Sequence, residues 1–189
     1  MPELVYPYTF LLDTNVIAKW LFRHEADSDK AQELLERARE GEFSIAVADV
    51  SLLELGNVLL NTGRLTAGEV RAGIADTAAA CGFALKPFRA SYLRAAIQVA
   101  VECKLAMYDA YLAGLAQSDG LILVTADRRL FDALGGRQEP IVQWLANWRV
   151  PEKSVALARL HGVTRTQGRC EWCEREEEML VEIPLLSLA

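Results

Sequence analysis

The sequence predicts a doubly wound α/β fold, in which helices cover both faces of a parallel sheet. Short apolar runs alternate along the chain with stretches whose apolar residues have helical spacing. The 189 residues are 52% apolar and 24% charged, a composition typical of a globular protein with a core. No internal repeat is evident, so the chain is not a repeat array. Strands joined by right-handed helical crossovers build a parallel sheet covered on both faces.

Five apolar runs are the predicted strands, and each is bounded by polar residues or glycine. They lie at residues 9–12, 43–48, 83–85, 121–125 and 141–143. Stretches with helical spacing separate them, at residues 28–39, 51–60, 65–81, 92–101 and 109–117. Asp49 or Ser51 is the predicted N-cap of the second helix, because both residue types accept hydrogen bonds from free backbone amides.

The charge balance limits the class of protein. Twenty basic and 26 acidic side chains give a net charge of −6, which argues against a basic nucleic-acid coat protein but not against an enzyme that meets nucleic acid at a local patch. The N-terminus lacks a basic region before its apolar run, and no stretch of about 18 apolar residues occurs. We therefore expect a cytoplasmic protein without a signal peptide or a membrane span.

Composition shifts after Pro151, so we predict one domain at residues 1–150 and a C-terminal extension of unknown role at 151–189. About 40 residues rarely hold a core alone. The extension contains a single CxxC motif, Cys170 and Cys173. These supply two of the four ligands of a structural zinc site, with His161 as a further candidate. Zinc binding, a redox pair and two ordinary thiols remain open interpretations.

Acidic side chains recur where the predicted strands end. Asp13 follows the first strand, Asp127 lies two residues after the fourth, and Glu54 and Asp109 lie in helices near strand ends. In open α/β sheets, ligands bind beyond the carboxyl ends of the strands. Carboxylates that converge there repel one another unless a hard cation neutralises them, and Mg²⁺ and Mn²⁺ prefer oxygen ligands. Each acid alone would be an ordinary cap or turn residue, so the hypothesis depends on their joint placement.

Other chemistries have little support in the sequence. The two histidines, His24 and His161, lie outside any recognisable triad context, and G-x-S-x-G is absent. A phosphate-binding Walker A loop and a Gly-rich dinucleotide motif are also absent. A phosphotransferase with an Asp nucleophile would need a second Asp two residues after Asp13, where Asn15 stands. Metal-assisted hydrolysis of a phosphodiester is the favoured chemistry.

Four segments around these acids resemble the motifs of the PIN-domain nucleases. They are LLDTNV at 11–16, SLLEL at 51–55, MYDAYLA at 107–113 and LVTADRRL at 123–130, with their acids separated by 41, 55 and 18 residues. The resemblance covers roughly residues 8–148. Small members of this kind resemble the VapC-type toxins of toxin–antitoxin pairs.

The resemblance implies a five-stranded parallel sheet in the order 3-2-1-4-5 and an endoribonuclease that depends on Mg²⁺ or Mn²⁺. It assigns the catalytic and metal-binding positions to Asp13, Glu54, Asp109 and Asp127. Asn15 and Thr125 are predicted to orient carboxylates or water. The resemblance also implies an antitoxin protein as partner and frequently a homodimer. The neighbouring Asp49 and Asp132 fall outside the motif positions, and we predict that they are structural.

An RNA substrate requires local positive charge. Arg128 and Arg129 directly follow Asp127 and are the predicted phosphate contacts, although a solvated helix face would explain them equally well. Two alternatives to a toxin stay open at this point. One is a housekeeping RNA-processing nuclease, and the other is a non-catalytic PIN-like module that binds RNA or protein.

Overall fold

A computed structural model describes residues 8–63, 65–80, 85–135 and 141–151, and two further strands at 163–169 and 176–182. The chain forms two compact units, Met1–Arg149 and Val150–Ala189. In the first unit, the predicted doubly wound sheet is confirmed: five strands lie in the order β3-β2-β1-β4-β5, and all pairs are parallel. The strands are β1 (Thr9–Leu12), β2 (Ser44–Ala48), β3 (Leu85–Lys86), β4 (Ile122–Thr125) and β5 (Ile141–Trp144).

Seven α-helices flank the sheet within the described residues. They are α1 (Thr14–Leu21), α2 (Ser28–Arg39), α3 (Asp49–Asn61), α4 (Ala67–Ala80), α5 (Ala90–Cys103), α6 (Met107–Asp119) and α7 (Arg128–Leu134). Helix α2 has the predicted bounds, whereas α1 and α7 were not predicted. Helix α1 has only eight residues, with Asn15 and Lys19 as its polar side, so it is too short for a helical period to stand out in the sequence.

The predicted N-cap of α3 is wrong. Strand β2 runs directly into the helix, so Asp49 is its first helical residue and Ala48 takes the cap position. One carboxylate oxygen of Asp49, Oδ2, accepts a hydrogen bond from the amide of Phe88 at 2.9 Å. Asp49 thus ties the start of α3 to the segment between β3 and α5.

The strand register aligns the carboxyl ends of the central strands. Leu12, the last residue of β1, pairs with Val47 of β2 and Val124 of β4. The backbone amide of Asp13 then donates to the carbonyl of Val124 at 3.0 Å. Side chains that follow β1 and β4 are therefore held next to each other at this end of the sheet, which we call the carboxyl edge.

Apolar side chains on alternate strand positions face opposite layers of helices. Leu11, Ala46 and Leu123 are fully buried in a cluster with residues of α5, α6 and α7. Helix α6 approaches α5 closely at Gly114, where an added Cβ would lie 2.5 Å from the backbone nitrogen of Ala96. Only glycine permits this approach, which fixes α6 on the sheet.

Aromatic side chains close the opposite end of the sheet, the amino edge. Phe10 in β1, Phe43 just before β2 and Trp148 after β5 pack edge to face with ring centroids 4.8–5.9 Å apart. The guanidinium of Arg37 covers the indole of Trp148 at 4.9 Å from the ring centroid. All three aromatic rings are buried, so this edge is part of the core.

The second unit contains an antiparallel pair, β6 (Val163–Arg169) and β7 (Glu176–Glu182), in which Arg169 lies opposite Glu176. These strands were not predicted. Cys170, Cys173 and His161 lie outside the described residues, so the zinc, redox and thiol interpretations remain predictions. In the part of the chain that is described, no helix has the length and apolar character needed to cross a membrane.

Candidate functional site

The four acids predicted from the motifs come from four different elements. Asp13 lies between β1 and α1, Glu54 lies in α3, Asp109 lies in the first turn of α6, and Asp127 precedes α7. Asp13 is only 4% exposed, although it carries a carboxylate. The charges of Glu54 and Asp109 act on Asp13, and those of Glu54 and Asp127 act on Asp109. The structure therefore brings all four to one acidic cluster at the carboxyl edge.

A hydroxyl group connects two of these acids across neighbouring strands. The Oγ1 of Thr125, at the end of β4, donates to Oδ2 of Asp13 at 2.6 Å. The same Oγ1 accepts a hydrogen bond from the amide of Asp127 at 2.9 Å. The Nδ2 of Asn15 lies 3.3 Å from the same Asp13 oxygen. Both residues predicted to orient carboxylates thus contact Asp13.

Asp127 also caps a helix. Its Oδ1 accepts hydrogen bonds from the amides of Arg129 at 2.7 Å and Leu130 at 3.2 Å, which satisfies two free donors of α7. The ordinary cap role and the cluster position therefore coincide in one residue. Because one oxygen is committed to the cap, the orientation of this carboxylate is fixed relative to the helix.

Glu54 is positioned by a residue that we did not single out from the sequence. The Oγ1 of Thr14 donates to Oε2 of Glu54 at 2.6 Å, which joins the start of α1 to α3. Thr14 directly follows Asp13 and is buried. Its place in the first motif was visible in the sequence, but its contact partner 40 residues away was not.

Burial and neighbouring negative charges raise the pKa of two of the acids. Burial first, and then the charges of Glu54 and Asp109, raise the pKa of Asp13 from 3.8 to about 6, while the hydrogen bond from Thr125 lowers it. Burial is also the largest cause that raises the pKa of Asp109, followed by repulsion from Asp127 and Glu54. Carboxyl pKa values raised by burial and by neighbouring acids are typical of functional sites.

The chemistry of this cluster fits a hard divalent cation. Four carboxylates and the Thr125 hydroxyl supply only oxygen, the ligand type that Mg²⁺ and Mn²⁺ prefer. A cation would also relieve the repulsion that raises the carboxyl pKa values. Among the described residues, no three acidic, histidine or cysteine side chains lie close enough together to hold a metal ion as they stand. Three of the four acids, Asp13, Glu54 and Asp127, accept hydrogen bonds from other groups of the protein.

The two adjacent arginines have different surroundings. The charge of Arg129 acts on Asp109, so this side chain lies beside the acidic cluster. Arg128 instead pairs with Asp132 at 3.0 Å along α7. Asp132 thus pairs with an arginine of its own helix, and Asp49 accepts a hydrogen bond from the amide of Phe88. Both contacts are of the structural kind that we predicted for these two acids.

Comparisons with known proteins agree with this architecture. The family profile described as PIN domain matches residues 10–136.

Three solved structures share the fold. PAE2754 from Pyrobaculum aerophilum is 22% identical with a TM-score of 0.50, and the match covers 80% of this chain and 96% of that one. VapBC2 from Rickettsia felis, bound to a promoter DNA fragment, is 17% identical with a TM-score of 0.54 (75% and 99% covered). FitAcB from Neisseria gonorrhoeae is 20% identical with a TM-score of 0.54 (74% and 99% covered). The curated proteins give no match.

Proposed function

Because the chain belongs to the PIN domain family, we propose that it is a Mg²⁺- or Mn²⁺-dependent endoribonuclease, the toxin of a toxin–antitoxin pair. One observation carries the proposal. Four acids from separate elements converge at the carboxyl edge of the sheet, where Asp13 is buried with a raised pKa. A fold needs no such cluster for its stability, since each buried carboxylate opposes folding.

Each acid has an assigned role in this proposal. Asp13, Asp109 and Asp127 would hold the cation, and Glu54 would complete the site or accept a proton from the attacking water. When bound, the cation neutralises phosphate charge, activates water and stabilises the departing oxygen. Attack by water on phosphorus, with the P–O3′ bond breaking and the 3′ oxygen leaving as a hydroxyl, would give a 5′-phosphate and a 3′-hydroxyl as the product ends.

The neighbouring side chains hold this arrangement in place. Thr125 fixes Asp13 and the amide of Asp127 at once, and Thr14 fixes Glu54. Such contacts orient the carboxylates that bind a metal, and enzymes lose activity when the contacts are removed. Arg129 lies beside Asp109 and would carry the positive charge that attracts an RNA phosphate to the otherwise acidic cluster.

The toxin assignment is supported by the kind of structure that shares the fold. A further solved structure with this fold is a toxin–antitoxin complex from Klebsiella pneumoniae, with 18% identity and a TM-score of 0.51. We expect an antitoxin protein as partner and a homodimer in solution. Co-expression tests the partner: growth arrest by the chain alone, relieved by a small protein encoded next to it, supports a toxin. Unimpaired growth with active enzyme favours RNA processing.

Cleavage of RNA by the purified full chain tests the activity. We expect cleavage in Mg²⁺ or Mn²⁺, none in EDTA, and 5′-phosphate product ends. Asp13→Asn and Asp127→Asn should each slow cleavage about 10²–10³-fold, and Asp49→Asn, which changes a carboxylate outside the cluster, should cleave at the parent rate. Cleavage by the Asp13→Asn and Asp127→Asn variants at the parent rate would reject the proposal. Absence of cleavage by the parent, with intact folding, favours the non-catalytic binding module.

A further inference from the structure

Beside the acidic cluster, three side chains form an exposed surface of arginine and aromatic rings, which we call the Arg–Trp patch. It consists of Arg128 and Phe131 in α7 and Trp144 at the end of β5. The Phe131 and Trp144 rings meet edge to face, with centroids 5.8 Å apart. The Arg128 guanidinium carbon lies 5.7 Å from the centroid of Phe131 and 5.8 Å from that of Trp144. Both rings are partly exposed, and the Arg128 side chain is 70% exposed.

The sheet register locates the patch relative to the acids. Trp144 pairs with Thr125, whose hydroxyl binds Asp13. Strand spacing therefore puts Trp144 about 10 Å, or two strands, from Asp13 along the carboxyl edge. Arg128 directly follows Asp127, the N-cap of the same helix. The patch thus lies next to the acidic cluster: Arg128 follows Asp127 directly, and the strand of Trp144 pairs with the strand of Thr125.

The exposed arginine lies over the rings and is held along its helix by an acid. Its Nε contacts Asp132 at 3.0 Å, which restrains the side chain along α7. A restrained guanidinium and partly exposed rings offer flat faces on which a nucleobase stacks, and an unpaired base of any sequence supplies the matching π-face. Bases within an A-form duplex are already stacked and present no such face.

We propose that the Arg–Trp patch binds an unpaired nucleobase of a single-stranded RNA, next to the phosphate that is cleaved at the acidic cluster. The inference rests on the proposed ribonuclease function and adds a base-binding subsite to it. The patch contacts substrate but not the reacting atoms, so it contributes to binding and not to the chemical step. Its loss raises KM and leaves kcat nearly unchanged.

Steady-state cleavage of a short unstructured RNA by the full chain tests the proposal. Trp144→Leu keeps an apolar contact for Phe131 but removes the ring, and we expect KM to rise roughly tenfold with kcat within about twofold. Trp144→Phe should restore most of the binding. Arg37→Gln is the matched control, because Arg37 also covers a tryptophan and pairs with an acid, Glu42, but lies at the amino edge. Its KM should equal that of the parent, and thermal melts verify folding.

RNAs that lack the base of one nucleotide at a time test whether the patch contacts a base. In the parent, one abasic nucleotide near the cleaved bond should raise KM roughly tenfold, whereas in Trp144→Leu the same lesion should add almost nothing. An equal abasic penalty in both proteins would overturn the patch and leave the ribonuclease proposal intact. Failure of the parent to cleave any RNA overturns both proposals.

Discussion

Each end of the sheet has an arginine side chain over a tryptophan ring, but the two pairs differ in exposure and in their neighbours. At the amino edge, Arg37 covers Trp148, which is 8% exposed and packs against two buried phenylalanines. At the carboxyl edge, Arg128 covers Trp144, which is partly exposed and lies beside four acids. The Arg37 side chain is 34% exposed, and the Arg128 side chain is 70% exposed.

The difference separates stability from function. The amino edge removes apolar surface from water and contains no buried acid among the described residues, so it contributes to stability. The carboxyl edge buries Asp13 among like charges, which opposes folding. Substitutions at the amino edge should therefore lower stability and leave activity intact, whereas removal of a carboxylate at the carboxyl edge should lower activity without lowering stability.

The largest effect on stability is expected at the amino edge. Trp148→Ala removes a buried indole that contacts Phe10 and Phe43, so the free energy of unfolding should fall by about 3–5 kcal/mol. Urea denaturation measures this loss. Below the melting temperature, kcat for RNA cleavage should be that of the parent. A large drop in kcat of the folded variant would contradict the assignment of stability to one edge and activity to the other.

The largest effect on activity is expected at Asp13. Asp13→Asn removes one cation ligand in the proposed mechanism, so kcat/KM should fall about 10²–10³-fold, or about 3–4 kcal/mol of transition-state stabilisation. Glu42→Gln is the matched control, because Glu42 is an acid of the amino edge whose partner is Arg37. Equal rates for the two variants in Mg²⁺ would contradict the assignment of the acidic cluster.

Stability should also depend on pH through Asp13. Its pKa of about 6 in the folded protein exceeds 3.8, so the folded state retains a proton that the unfolded chain has lost. Without metal, the free energy of unfolding should therefore fall as pH rises from about 4 to about 6, by at most about 3 kcal/mol. Denaturation in EDTA across this range measures the slope. Asp13→Asn should flatten it, and an unchanged slope would place the titration elsewhere.

A smaller effect is expected at Thr125. Thr125→Val keeps the shape of the side chain but removes the hydrogen bonds to Asp13 and from the amide of Asp127. Cleavage should slow about 10–100-fold, and the acid limb of the pH–rate profile should move to higher pH, because this hydrogen bond lowers the Asp13 pKa. Thr77→Val, at a buried threonine of α4, is the control. A pH profile identical to that of the parent would show that Thr125 has only a packing role.

Much of the fold was predictable from the sequence because local pattern and tertiary environment agree. Helix α2 alternates buried Ala31 and Leu34 with charges, and its bounds were predicted correctly. Helix α7, at seven residues, is too short to show a period, and the Glu-rich β7 has poor strand propensity. Strand β3 has two residues, so its bounds depend on pairing with β2.

The candidate site was predictable in its acids but not in its contacts. The acids stand at strand ends, a position that topology alone places at one edge. The separate surroundings of Arg128 and Arg129 were not predictable, because neighbouring helical residues point in different directions. The Thr14–Glu54 contact likewise depends on how α1 packs against α3, which no local pattern encodes.

Whether the carboxyl edge holds a divalent cation is tested most directly by calorimetric titration of Mn²⁺ into the full chain above pH 7, where Asp13 is ionised. The parent and Glu42→Gln should bind at least one ion per chain in the same way, and binding should be lost in Asp13→Asn and in Asp109→Asn. Unchanged Mn²⁺ binding in both aspartate variants, or none in the parent, would contradict a metal site formed by these carboxylates.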